Sequence, residues 1–91
     1  MTDKAECRVV IKNKNGIHAR PAAMFVQQAN KFESDIFIVK DSVEVNGKSI
    51  IGIMTLAASY GTKLKLRASG PDAKEAITSL TKLFNEKFGE Q

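Results

Sequence analysis

Cysteine and histidine each occur once in this chain, as Cys7 and His18. No stretch approaches the ~20 apolar residues that a membrane-spanning helix needs. A lone cysteine excludes an internal disulfide and suits a reducing compartment. One histidine and one cysteine leave too few soft donors for zinc, so neither a metal nor another cofactor is expected. The opening residues, Met1-Thr2-Asp3-Lys4-Ala5-Glu6, are polar and of mixed charge, with no apolar segment of a signal peptide behind them. Internal repeats, low-complexity tracts and linkers are missing as well. These absences predict a cytoplasmic protein with no membrane insertion.

What is there suits one small domain over residues 1–91, too short for two cores. The apolar share of 43% and the charged share of 26% are those of an ordinary globular protein. A net charge of +4 favours acidic partners, whether nucleic acid, an acidic protein surface or a phosphate.

From Cys7 to Lys12 the residues alternate, with Cys7, Val9 and Ile11 on one face, as in a half-buried strand. Cys7 reads there as a small buried hydrophobe. Lys14-Asn15-Gly16 is a loop. Ala22, Phe25, Val26 and Ala29 then recur at helical spacing between Ala19 and about Lys31, with Pro21 in the first turn, where a missing N–H costs nothing. Asp35–Lys40 and Val43–Asn46 read as two strands joined by a tight turn at Asp41-Ser42. Ser49 is a good N-cap for a short helix to about Ser59. Lys63–Ala68 alternates cleanly, with Leu64, Leu66 and Ala68 inward and Lys63, Lys65 and Arg67 on a solvated face. After Gly70-Pro71-Asp72 a last helix carries the stripe Ala73, Ala76, Ile77, Leu80, Leu83, Phe84 and Phe88, and Gly89 stops it. The order β-α-β-β-α-β-α predicts an α+β fold, an antiparallel sheet with helices on one face.

Chemistry concentrates at Gly16-Ile17-His18-Ala19-Arg20-Pro21, where a loop enters a helix. A helix start offers unpaired N–H groups and a partial positive charge, which suit an anion. His18 sits at or beside the N-cap, and the planar fork of Arg20 suits phosphate oxygens. The arrangement fits a covalent phosphate carrier, although by spacing alone a lone histidine there is more commonly a polar cap and the arginine a solvated charge. In the short helix, Ile53, Leu56 and Ala57 cover one arc and Ile50, Ile51 and Met54 the next. That sector is wider than about 200°, against about 100° for an ordinary core stripe. Either the helix is buried on several sides, or Ile50, Ile51 and Met54 form an exposed docking patch.

Gly16-Ile17-His18-Ala19-Arg20-Pro21-Ala22-Ala23 resembles the active-site signature of HPr, the histidine-containing phosphocarrier family of the bacterial sugar phosphotransferase system. Val45 to Leu56 resembles that family's regulatory-serine segment, and the likeness spans about Glu6 to Phe88. The resemblance implies an open-faced β-sandwich with strands in the order 1-4-2-3 and three helices on one side. It implies a monomeric carrier rather than a stand-alone enzyme. Such a carrier takes a phosphoryl group from enzyme I and gives it to the IIA domains of sugar permeases. By the same resemblance His18 is the phosphorylated residue, through Nδ1, and Arg20 accompanies the phosphate. Asn15, Ala19 and Pro21 flank that site. Ser49 matches the serine phosphorylated by HPr kinase/phosphorylase for catabolite control through a transcription regulator, with a helix cap alone as the alternative. Ile50, Ile51 and Met54 match the family's docking surface.

Two other classes stand against this reading. A small acylphosphatase-like hydrolase would need its own phosphate loop, and that run is missing. A nucleic-acid domain would need aromatic residues on the exposed sheet face, and the last strand offers only Lys63, Lys65 and Arg67 there. No nucleic-acid partner is expected.

Overall fold

The computed structural model describes residues 3–90; Met1, Thr2 and Gln91, assigned above to the same domain, lie outside the described residues. In chain order the elements are β1 (Asp3–Val10), α1 (Ala19–Ala29), β2 (Asp35–Lys40), β3 (Val43–Asn46), α2 (Ile50–Thr55), β4 (Lys63–Gly70) and α3 (Ala73–Asn85), then a 3₁₀ turn at Lys87–Gly89. The four strands form one antiparallel sheet in the order β1-β4-β2-β3. This is the expected α+β architecture.

One face of the sheet carries the core. Val9, Ile36, Ile38, Leu64, Leu66 and Ala68 point to the helices and meet Phe25, Ile53, Ile77, Leu80 and Phe84, all buried. The period of two in the strands and the period near 3.6 in α1 and α3 put these residues on facing surfaces. Cys7 packs against the core but is only half-buried.

The opposite face is bare. Arg67 forms an ion pair with Glu44 at 2.9 Å, and its guanidinium lies 5.6 Å from the ring centre of Phe37. That face therefore does carry one aromatic residue, from β2 rather than from the last strand, and an arginine already covers it.

Several boundaries differ from expectation for physical reasons. Strand β1 begins at Asp3 rather than Cys7 because β4 runs to Gly70, and its last residues pair with the polar stretch Asp3–Glu6. Helix α2 ends at Thr55 rather than near Ser59, since Ala57 adopts a left-handed φ of 48°. Helix α3 ends at Asn85. Phe88 belongs to the separate turn, where it is buried against Phe84 with ring centres 4.9 Å apart. No helix among the described residues is long and apolar enough to cross a membrane.

Candidate functional site

His18 is the N-cap of α1, with extended backbone (φ −95°, ψ −169°), and its carbonyl accepts the first helical bond from the Ala22 N–H at 3.0 Å. Its side chain makes no capping bond, and the first turn of α1 carries no acidic residue. The amides of Ala19 and Arg20 meet no acceptor among the described residues, and Pro21, buried, has no N–H to satisfy. The positive end of α1 is thus open beside an imidazole whose side chain is 41% exposed.

The loop in front of the helix is tightly held. The Gly16 N–H donates to the Asn13 carbonyl at 3.1 Å, and the Asn13 amide Nδ2 donates to the Gly16 carbonyl at 2.6 Å. The Ile17 N–H donates to the Ala58 carbonyl at 2.9 Å, tying this loop to the segment after α2. Ile17 is buried, so the backbone before His18 is anchored in the core while the ring faces outward.

Asn15, Ala19 and Arg20 are exposed, and Asn15 makes no side-chain hydrogen bond among the described residues. The amide that reaches the site belongs to Asn13, which is 1% exposed. Glu90 also arrives there, from beyond α3. Its Oε2 lies 2.9 Å from His18 Nε2 and 4.0 Å from Arg20 Nη1, and its Oε1 accepts from Asn13 Nδ2 at 3.0 Å. Burial works against the Glu90 charge. Hydrogen bonds from Asn13 and His18, with the charges of His18 and Arg20, outweigh it and hold the carboxyl below its usual range.

Sequence reasoning missed both Asn13 and Glu90. The signal that could have found Glu90 is Phe88, which is buried in the turn after α3 and keeps the chain beyond the helix against the core.

The second cluster lies on α2, which packs beside α1. Ser49 is the N-cap, and its Oγ accepts from the Gly52 N–H at 3.0 Å. Ile53 and Leu56 are buried, whereas Ile50, Ile51 and Met54 are 41%, 78% and 43% exposed. The wide apolar sector therefore divides into a core-facing arc and an outward arc that continues from the capping serine. Ala57, grouped above with the inward arc, is exposed because the helix has already ended. No group of three or more histidine, cysteine or carboxylate side chains that could hold a metal occurs among the described residues.

Comparison with known proteins agrees with this geometry. The phosphocarrier protein HPr of Treponema pallidum is 46% identical over 83 residues, covering 91% of this chain and 94% of that protein. The HPr-like protein Crh of Bacillus subtilis is 49% identical over 80 residues, 88% of this chain and 94% of its own. The crystal structure of HPr-C-His from Thermoanaerobacter tengcongensis superposes with a TM-score of 0.92 at 54% identity, covering 96% of this chain and 98% of that one. Residues 5–86 match the family described as the PTS HPr component phosphorylation site. The chain belongs to the HPr family of phosphocarriers of the phosphotransferase system.

Proposed function

We propose that the chain works in the cytoplasm as a monomeric single-domain relay, taking a phosphoryl group from enzyme I onto His18 Nδ1 and passing it to IIA domains of sugar permeases. The observation that carries this reading is the placement of His18: a half-exposed imidazole at the uncapped start of α1, with free amides and Arg20 beside it. The ring supplies the nucleophile. The helix start and the guanidinium face the negative charge that collects between donor and acceptor rings. Ile50, Ile51 and Met54 provide the apolar contact for both partners. Nothing in this scheme requires the chain to turn over a substrate alone, which is the behaviour of a carrier and not of an enzyme.

The test is incubation with enzyme I and phosphoenolpyruvate, followed by mass spectrometry. One adduct on His18 is expected, labile to acid and stable to alkali as a phosphoramidate should be. His18→Ala should remove it with the fold intact. An undiminished acid-labile adduct on that variant overturns the assignment.

A regulatory role at Ser49 rests on a separate observation, its place at the head of the exposed Ile50, Ile51 and Met54 surface. A serine kinase of the HPr kinase/phosphorylase type would add charge there, and the product would present a changed surface to a catabolite-control regulator. The likeness to Crh of Bacillus subtilis, described as a catabolite repression HPr and 48% identical to this chain, supports this second reading.

A further inference from the structure

We propose that Glu90, held by Asn13, is a positioning residue for His18: it keeps the ring proton on Nε2, leaves Nδ1 with a bare lone pair, and faces the positive charge of the phosphorylated ring. The inference rests on the phosphocarrier reading for its purpose, although its geometry stands independently.

A carboxylate can only accept hydrogen bonds, so at 2.9 Å the His18 Nε2 must be the donor. In a neutral ring that leaves Nδ1 without a proton, and no described residue hydrogen-bonds to it. Oε1 of the same carboxylate is engaged by Asn13 Nδ2 at 3.0 Å, which fixes the carboxylate in place. The depressed Glu90 carboxyl keeps that acceptor ionised as the pH is lowered towards the ordinary carboxylate range.

The backbone leading to Glu90 is an independent sign that its position is imposed. Lys87, Phe88 and Gly89 take left-handed φ values of 57°, 52° and 73° in succession. Two of these are not glycine, so the turn is strained, and burial of Phe88 at 1% exposure holds it. The strained turn delivers Glu90 to a residue 72 positions away.

The transfer step balances without a further reagent. The Nδ1 lone pair forms the new N–P bond while the N–P bond of the donor phosphohistidine breaks, and its electron pair returns to the donor ring. The proton on His18 Nε2 stays in place. The phosphorylated ring then carries a positive charge opposite the Glu90 carboxylate, and the same steps run backwards when the group leaves. Carboxylates that orient metal-ligating histidines through the other ring nitrogen are typically worth about 10- to 100-fold, and an effect on that scale is expected by analogy.

The test uses the full chain labelled with ¹⁵N, observing the His18 ring nitrogens at a pH where the ring is neutral. In the wild type, Nε2 should carry the proton and Nδ1 should show the shift of a bare nitrogen. In Glu90→Leu the Nδ1–H form should become measurably populated, and Asn13→Ala should move the same way by less. Glu86→Leu, which removes a surface carboxylate that does not touch the ring, should leave the spectrum unchanged. Glu90→Leu should also lower kcat for phosphoryl acceptance by about tenfold with KM for enzyme I unchanged, and Glu90→Asp should restore part of it. Wild-type ring shifts in Glu90→Leu, or a change in KM alone, overturn the proposal. Failure of the wild type to accept phosphate would defeat the carrier reading instead, and the ring shifts would still decide the role of Glu90.

Discussion

Gly16 lies against Ala58 so closely that a Cβ at Gly16 would fall 2.5 Å from the Ala58 carbonyl oxygen and 2.8 Å from the Ser59 Cα. Both are backbone atoms, which cannot swing aside as a flexible side chain would. Gly16 also has a φ of 67°, in the left-handed region that glycine occupies without penalty. The same contact carries the bond from Ile17 N–H to the Ala58 carbonyl, one residue before His18. Gly16→Ala should therefore cost about 1–3 kcal/mol. Thermal unfolding should show it as a loss of roughly 4–8 °C in Tm for each kcal/mol. Phosphoryl acceptance should fall too, because the loop that aims His18 must move to admit the methyl group.

Arg20 should separate function from stability. Its side chain is 67% exposed, and its one ionic contact, to Glu90, is long at 4.0 Å. Such a contact contributes at most about 0–1 kcal/mol, so Arg20→Ala should hardly change Tm. In the proposed transfer the guanidinium would face the charge between two rings. Its loss should slow transfer by roughly 10- to 1,000-fold, as removal of a charge-stabilising donor does. Stopped transfer from phosphorylated enzyme I measures this, and wild-type rates in the variant would remove Arg20 from the mechanism.

The parts legible in the sequence are those whose cause is local. Leu64, Leu66 and Ala68 alternate because one face of β4 is buried, and the alternation is visible without knowing what covers it. His18, Arg20 and Pro21 could be placed at a helix start because the loop signal and the apolar period of α1 meet there. The wheel of α2 revealed too much apolar surface for one core stripe, and Ile50, Ile51 and Met54 prove to be the exposed share. What escaped has a distant cause. Asp3–Glu6 is too polar to announce a strand and becomes one only because Arg67–Gly70 lies alongside. Ala57 ends α2 with a left-handed residue that is neither glycine nor asparagine. Asn13 and Glu90 meet across 77 positions of the chain, and no periodicity connects them.

Ser49 offers a test in which cap and regulator predict opposite results. Its Oγ satisfies the Gly52 N–H at 3.0 Å, so Ser49→Ala should cost about 1 kcal/mol while leaving phosphorylation of His18 intact. Ser49→Asp keeps an acceptor at the helix start and should stay folded. Its charge lies beside Ile50, Ile51 and Met54, and burying it against a partner incurs desolvation and, with an acidic partner, repulsion. A loss of about 2–3 kcal/mol would weaken docking roughly 30- to 150-fold. Titration with enzyme I decides: unchanged binding and transfer by Ser49→Asp would make Ser49 a cap alone.

The acid limit of stability should run through Asp72. Its carboxylate accepts from the Ser34 hydroxyl, the Glu33 N–H and the Ser34 N–H, joining the start of α3 to the turn before β2. The Ser34 hydroxyl bond comes first among the causes that hold this carboxyl below its ordinary 3.8, followed by the Glu33 amide, while partial burial opposes them. A carboxyl depressed in the folded state contributes stability that is fully present above its unfolded value. That contribution drains away as pH falls through the folded value. Wild-type Tm should therefore drop more steeply below the ordinary aspartate range than that of Asp72→Asn, which has no charge to lose. At neutral pH the variant should be the less stable of the two, and the gap should close on acidification. Glu90 is depressed in the same direction, so the comparison should be repeated with Glu90→Leu in both backgrounds. A gap between wild type and Asp72→Asn that stays constant from neutral pH to below the folded value would show that the Ser34 and Glu33 bonds do not depend on the charge.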